Sequence, residues 1–79
     1  MLATLQGYRA LDFTTEDSKR IRGTQLFISF DEDNVVGQAT DKLFVKPEVE
    51  LPTQMQQGDS LEIYFDRKGK VESVFASEE

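Results

Sequence analysis

Apolar side chains recur along this chain in five short segments, which polar turns separate. The clearest segment is residues 24–30, where Leu26, Ile28 and Phe30 share one parity and Gln25 and Ser29 the other. Apolar and polar residues that alternate in a segment rich in β-branched and aromatic side chains are typical of a strand with one face in a core. The same pattern predicts strands at residues 2–15, 21–30, 35–46, 59–65 and 70–76.

The glycines and a change of phase predict where these strands bend. In the first strand Leu5, Leu11 and Phe13 share one parity and are expected to face the core. Tyr8 has the other parity, and Gly7 lies where the phase is least clear, so we expect a bulge or sharp bend there. Val71 and Val74 differ in parity, which predicts a second bulge in the fifth strand.

The segment between the third and fourth predicted strands is not a strand. Pro47 and Pro52 would interrupt a hydrogen-bonded ladder, and residues 53–57 are long enough for one helical turn only. Five strands with glycine bends and little or no helix predict an all-β fold, a single domain over residues 1–79. We expect a small OB-like (oligonucleotide/oligosaccharide-binding) barrel, with an SH3-like barrel as the alternative.

The amino-acid composition excludes several kinds of catalytic and metal site. The 79 residues include neither cysteine nor histidine. Histidine-assisted nucleophilic catalysis and zinc sites with histidine or thiolate ligands are therefore excluded within one chain. Most acidic residues lie in predicted turns, where a raised carboxyl pKa is not expected. We expect no enzyme, no catalytic residue, no metal site and no cofactor.

Size and hydropathy give expectations about assembly and location. A chain this short buries only about 60–65% of its unfolded surface, so a homodimer is expected because it adds buried area. No apolar run approaches the roughly 18 residues of a membrane span, and no basic stretch precedes an apolar one at the N-terminus. The expected location is the cytoplasm, without a membrane partner.

Charge is unevenly distributed. The net charge is −6, and residues 31–79 carry a balance of −7, whereas residues 1–30 carry +1. This acidity argues against strong non-specific binding of duplex DNA, which depends on neutralising phosphates. A local basic groove remains compatible with it.

Four aromatic residues are out of phase with the predicted core, and basic residues flank them. Flat side chains that stack on bases, together with cations that follow the backbone, are what single-stranded nucleic acid binding requires. A core position or a dimer interface would use the same aromatic residues. The aromatic residues are Tyr8, Phe27, Phe44 and Tyr64, and the cations are Arg9, Lys42 and Lys46.

A second basic cluster lies between the first two strands. Lys19, Arg20 and Arg22 are three cations within four residues. They are suited to clamp phosphates, or they balance nearby acids such as Asp12.

Short motifs carry a family resemblance. Phe13, Thr14 and Thr15, a polar loop, then Arg22 and Gly23 leading into a strand resemble the filamentous-phage type of single-stranded DNA-binding protein. Residues 58–71 look like the last hairpin of many OB-type proteins. The chain is also similar to small uncharacterised proteins of phages and mobile elements of Gram-positive bacteria. The similarity covers residues 8–30 and 58–75.

The resemblance implies a function. Such a protein would be a dimeric OB-like barrel that coats single-stranded DNA during phage or plasmid replication or transfer. The polar loop would be its DNA-binding arm, with Lys19, Arg20 and Arg22 facing phosphate. The acids after residue 30 differ from that pattern. They favour an alternative function, an acidic protein-interaction module such as a phage-encoded inhibitor or accessory subunit that mimics nucleic acid.

Overall fold

One five-stranded antiparallel sheet makes up the fold. The computed structural model describes residues 1–77, and within them it contains no helix. The prediction of a small, five-stranded all-β fold is therefore confirmed. None of the described residues belongs to a helix that is long and apolar enough to cross a membrane. The strands are β1 (Leu2–Thr14), β2 (Arg20–Phe30), β3 (Ala39–Val45), β4 (Ser60–Phe65) and β5 (Val71–Ala76).

The sheet curls around its longest strand. Its order is β3-β2-β1-β4-β5, so β1 pairs with two neighbours. The start of β1 pairs with β4, as Leu2 does with Glu62, whereas residues 4–14 pair with β2. The edge strands β3 and β5 approach each other, but no strand pairing joins them among the described residues. The result is a partly open barrel, as expected for an OB-like fold.

A β-bulge interrupts β1 at the predicted place. Leu5 lies opposite Ile28 and Gly7 lies opposite Phe27, so Gln6 is the extra residue. An extra residue reverses the inward and outward alternation of all side chains that follow it. The bulge therefore changes which face of β1 points to the core.

This reversal corrects the predicted orientation of β1. Tyr8 lies opposite the buried Leu26 on the core side of the strand, where it is still 48% exposed. Phe13 points outward and is 50% exposed, and Leu11 shares its face. Grouping Leu11 and Phe13 with Leu5 was wrong, because parity along a strand holds only where the strand has no bulge.

The core lies inside the curled sheet. Side chains from all five strands meet there, and Met55 from the connecting segment is buried against them. Residues 53–57 form turns rather than the predicted helical turn, with Gln54 at φ 58°. The predicted bulge in β5 is confirmed, because the register shifts opposite Tyr64 and Phe65. The largest fully buried side chains are Leu5, Leu26, Ile28, Val45, Leu61 and Ile63.

The third strand is shorter than predicted. Residues 31–38 form an exposed loop, and β3 begins only at Ala39. Asn34 has φ 68° and Gly37 has φ 92°. These left-handed conformations end the extended backbone and turn the chain, so Val35 and Val36 remain on the surface.

One contact on the outer face of the sheet requires a glycine. A Cβ atom at Gly23 would lie 2.5 Å from the Val45 carbonyl oxygen and 2.6 Å from Cζ of Phe44. The ring of Phe44 therefore packs directly over the β2 backbone. A Cβ atom at Gly7 would meet nothing within 4 Å.

We expect Gly23→Ala to lower the free energy of unfolding by about 1–3 kcal/mol, because a methyl group inserted into a packed site forces backbone or ring to move. Gly7→Ala is the matched control and should change it by less than about 0.5 kcal/mol. Urea unfolding of the two variants measures the difference. Equal stability of both variants would show that Phe44 does not rest on Gly23 in solution.

Candidate nucleic-acid interface

The strand register brings two of the predicted aromatic residues together. On the outer face, Gln25 of β2 lies between Arg9 of β1 and Phe44 of β3, directly opposite each. Phe27 follows two residues along β2 and lies opposite Lys42. Side chains opposite each other in antiparallel strands share a face and are in reach of contact. We call these five residues the aromatic face.

Contacts within the aromatic face hold one side of it in place. The guanidinium carbon of Arg9 lies 5.7 Å from the centre of the Phe27 ring, a cation–π geometry. The Nε–H of Arg9 donates to Oε1 of Gln25 at 2.8 Å. Phe44 packs on Gly23 and is still 42% exposed. The rings of Phe27 and Phe44 are therefore held in place by neighbouring residues and lie beside cationic side chains.

Two grooves flank Lys42. The larger, of about 410 Å³, runs along the open seam between β3 and the β4–β5 loop. Its lining includes Phe44, Lys46 and Lys70, with Asp41 as its acidic member. The other, of about 360 Å³, lies beside Phe27. Cationic side chains thus continue from the aromatic face into the seam, with Asp41 among them.

Asp66 organises the loop at the edge of the larger groove. Its Oδ1 accepts hydrogen bonds from the backbone N–H groups of Lys70, at 3.0 Å, and Lys68, at 2.8 Å. The Lys70 hydrogen bond is the main cause that lowers the pKa of Asp66, and the charges of Lys46 and Lys70 lower it further. The carboxylate therefore stabilises the loop and offsets part of the positive charge of the groove.

Tyr8 and Tyr64 lie apart from the aromatic face. The Tyr8 hydroxyl donates to the carbonyl oxygen of Met55 at 3.2 Å, on the core side of β1. Tyr64 packs edge-on against Phe75, with ring centres 5.9 Å apart. Leu2 is also exposed on this half of the sheet, where Glu62 pairs with both Leu2 and Phe75. We call Leu2, Tyr64 and Phe75 the Tyr64 cluster.

The second basic cluster is also separate. Arg20 and Arg22 lie opposite Thr14 and Asp12, on the side of the β1–β2 hairpin that faces away from Phe27. Both carboxylate oxygens of Asp12 accept hydrogen bonds from Arg20: Oδ1 from Nε at 2.9 Å and Oδ2 from Nη2 at 2.8 Å. Of the two roles that the sequence allowed for Arg20, clamping a phosphate or balancing a nearby acid, the structure shows the second. Lys19 lies in the turn, where its backbone N–H donates to Thr15 Oγ1.

The candidate residues chosen from the sequence lack four members of these surfaces, which are Leu2, Gln25, Lys70 and Phe75. Phe75 is 56% exposed, and its adjacency to the buried Val74 was a usable signal for an outward side chain. Gln25 has the same parity as Phe27, but only the cross-strand register reveals its position between Arg9 and Phe44.

Comparisons of the chain with protein-family models, curated proteins and solved structures found no match. Across residues 1–77, no three acidic side chains gather as a group that could hold a metal ion. The function proposed below therefore depends on the geometry of this chain and on its motifs.

We expect Arg20→Gln to raise the pKa of Asp12 toward its ordinary value of 3.8, because the side-chain hydrogen bond from Arg20 is the main cause that lowers it. The folded chain has the lower pKa. The stability that ionised Asp12 contributes is therefore complete above pH 3.8 and is lost as the pH falls through the folded pKa. An NMR titration of the carboxyl group measures this, with Lys19→Gln as the control. An unchanged Asp12 pKa in Arg20→Gln would contradict the ion pair.

Proposed function

We propose that this protein binds single-stranded DNA through the aromatic face and the adjoining seam. The observation that carries the proposal is the juxtaposition of Phe27 and Phe44 on neighbouring strands, with Arg9 and Lys42 beside them. Bases stack on the two rings, and each stacked base is worth about 1–3 kcal/mol. This binding is sequence-tolerant, because every base has an aromatic face.

Phosphate contacts come from the larger groove in this proposal. Lys42, Lys46 and Lys70 line it, and a cationic groove beside stacking residues follows a nucleic acid backbone. OB folds bind oligonucleotides on strands β2 and β3 between the β1–β2 and β4–β5 loops, which is where these residues lie. Overall acidity does not oppose such binding over short range, because charges beyond about 10 Å are largely screened at ordinary salt.

The motif resemblance supports a biological setting. It favours a protein of a phage or mobile element that acts on single-stranded DNA during replication or transfer, in the cytoplasm. Neither a catalytic step nor a cofactor is part of this function. Lys19 and Arg22 lie on another side of the molecule and would be an auxiliary contact at most.

We expect Phe27→Ala and Phe44→Ala each to weaken binding of a labelled oligothymidine about tenfold or more, because each removes a stacking ring. An oligonucleotide of about eight nucleotides lies within the site size of one OB fold. Fluorescence anisotropy measures the affinity, and Tyr64→Ala, which also removes an exposed ring, should leave it unchanged.

The salt dependence provides the second readout of this experiment. Lys42→Gln should make the plot of log K against log salt shallower by about 0.7, the contribution of one phosphate contact to a single strand. Arg20→Gln should leave the slope unchanged, because Arg20 is paired with Asp12. Absence of salt-sensitive binding in the unmodified protein at tens of micromolar would disprove the proposed function.

A second candidate function is protein interaction through the Tyr64 cluster, with a second copy of the chain as the partner. Tyr64 and Phe75 are 48% and 56% exposed, although they form an aromatic pair. Within residues 1–77, Glu62 is the charged side chain that the strand register pairs with Leu2 and Phe75, and it lies 3.6 Å from the N-terminal ammonium group. The carboxylate offsets that positive charge, so this half of the sheet does not favour phosphate. A chain of this size would gain buried apolar area by dimerising.

We expect the 9.0 kDa chain to sediment as a dimer if this second candidate is correct, and Phe75→Ser to convert it to a monomer. Analytical ultracentrifugation over a range of protein concentrations measures the mass. Phe44→Ser, which removes an exposed ring from the aromatic face, is the control and should remain dimeric. A monomeric unmodified protein would exclude the homodimer.

A further inference from the structure

We propose that Gln25 and Arg9 make the aromatic face prefer bases with a keto oxygen, such as thymine, over bases with an amino group in its place, such as cytosine. This inference rests on the proposed function and deepens it, because it adds a chemical preference to otherwise sequence-tolerant stacking. It follows from the direction in which the Gln25 amide points.

The orientation of that amide is determined by its neighbour. Arg9 Nε–H donates to Gln25 Oε1 at 2.8 Å. A guanidinium group has donors and no acceptor, so the amide oxygen must face Arg9 and the amide nitrogen must point away from it. The two N–H donors of Gln25 are therefore the part of its amide that a ligand would meet.

Gln25 lies where the edge of a stacked base would be. It is directly opposite Phe44 and two residues from Phe27 on the same face of β2. It is half-buried, so it is held in place and yet remains accessible. A base stacked on either ring therefore directs an edge toward the Gln25 amide.

The neighbours of Gln25 are also donors. Arg9 lies on one side of it, and Lys42 lies opposite Phe27. Neither side chain can accept a hydrogen bond. Gln6 has an amide oxygen, but its Nε2 donates to Ser29 Oγ at 2.8 Å, on the other side of Phe27. Arg9 and Lys42 are thus the donors that the register places beside Gln25 and Phe27, whereas Gln6 and Asp41, which carry acceptors, line the grooves that flank Lys42.

Thymine and cytosine differ at the atom that would meet these donors. Thymine presents the O4 acceptor where cytosine presents the N4 amino donor. In the proposed pose position 4 of the base meets the donors, which can hydrogen-bond to O4 of thymine but not to the amino group of cytosine. At position 3 the polarity is reversed, because thymine carries N3–H and cytosine an N3 acceptor, so the preference depends on position 4 facing Gln25. Sequence preferences of such surfaces usually come from differences in stacking and backbone flexibility. Comparing two pyrimidines keeps the stacked ring nearly constant, so the difference reports the base edge.

The test compares labelled oligothymidine and oligodeoxycytidine of about eight nucleotides, at neutral pH and one salt concentration, by fluorescence anisotropy. The unmodified protein should bind oligothymidine about three- to tenfold more tightly, as expected for one net hydrogen bond. Gln25→Leu removes the amide and should bring the affinity ratio close to one.

Gln25→Glu is the sharper variant. Its carboxylate still accepts from Arg9 but has no donor, so the ratio should fall below one in favour of cytosine. The added negative charge weakens binding of both oligonucleotides, and for that reason the ratio is the readout. Gln6→Ala is the control and should keep the ratio of the unmodified protein. Circular dichroism establishes that each variant is folded.

The outcomes separate this inference from the proposed function. If the unmodified protein binds both oligonucleotides equally, or if neither Gln25 variant changes the ratio, the base preference is wrong and single-strand binding stands. If the unmodified protein binds neither oligonucleotide, the proposed function fails and the base preference fails with it.

Discussion

The bulge at Gln6 is the constraint on which the rest of this structure depends. Before it, Leu5 points into the core and β1 pairs with both β4 and β2; after it, the phase is reversed and β1 pairs with β2 alone. Because of this reversal, Arg9 points outward beside Gln25, while Tyr8 points to the core side. Without the extra residue, the same strand would present Tyr8 to the aromatic face and withdraw Arg9 from it. One inserted residue thus decides the chemistry of the outer surface.

Local pairing explains how an acidic chain can carry a cationic surface. Asp12 is bound by Arg20 on the far side of the β1–β2 hairpin, and Asp66 accepts backbone hydrogen bonds within its own loop. Neither carboxylate is left to compete freely for a phosphate site. The exposed acids of the β2–β3 loop lie beyond the end of β2 that carries Phe30, away from the Gly23 end over which Phe44 packs. Net charge therefore says less about ligand preference here than the arrangement of the charges does.

Most residues of the proposed site could be found from the sequence, but their arrangement could not. Parity identified Phe27 and Phe44 as outward residues, and it placed Lys42 on the same face of β3 as Phe44, but it did not show that Phe27 lies beside them. Parity gave the wrong face for Tyr8, because the alternation of side chains reverses at the bulge and the sequence does not fix which residue is the extra one. It also could not find Gln25, whose significance comes from Arg9 and Phe44 on two other strands. Such neighbours are set by register, which depends on long-range pairing.

The sequence by itself determined the fold class. Alternating apolar residues, turn-forming loops and Gly7 and Gly69 at bends are local signals, and local sterics and solvation are enough to produce five strands and their turns. Only the tertiary structure decided which side chains share a surface. It joined Phe27 to Phe44 and Arg9, and it placed Tyr64 with Phe75 on the other half of the sheet. The physical reason is that cross-strand contact depends on the register of chain segments distant in sequence, and one residue of slip exchanges the two faces of a strand.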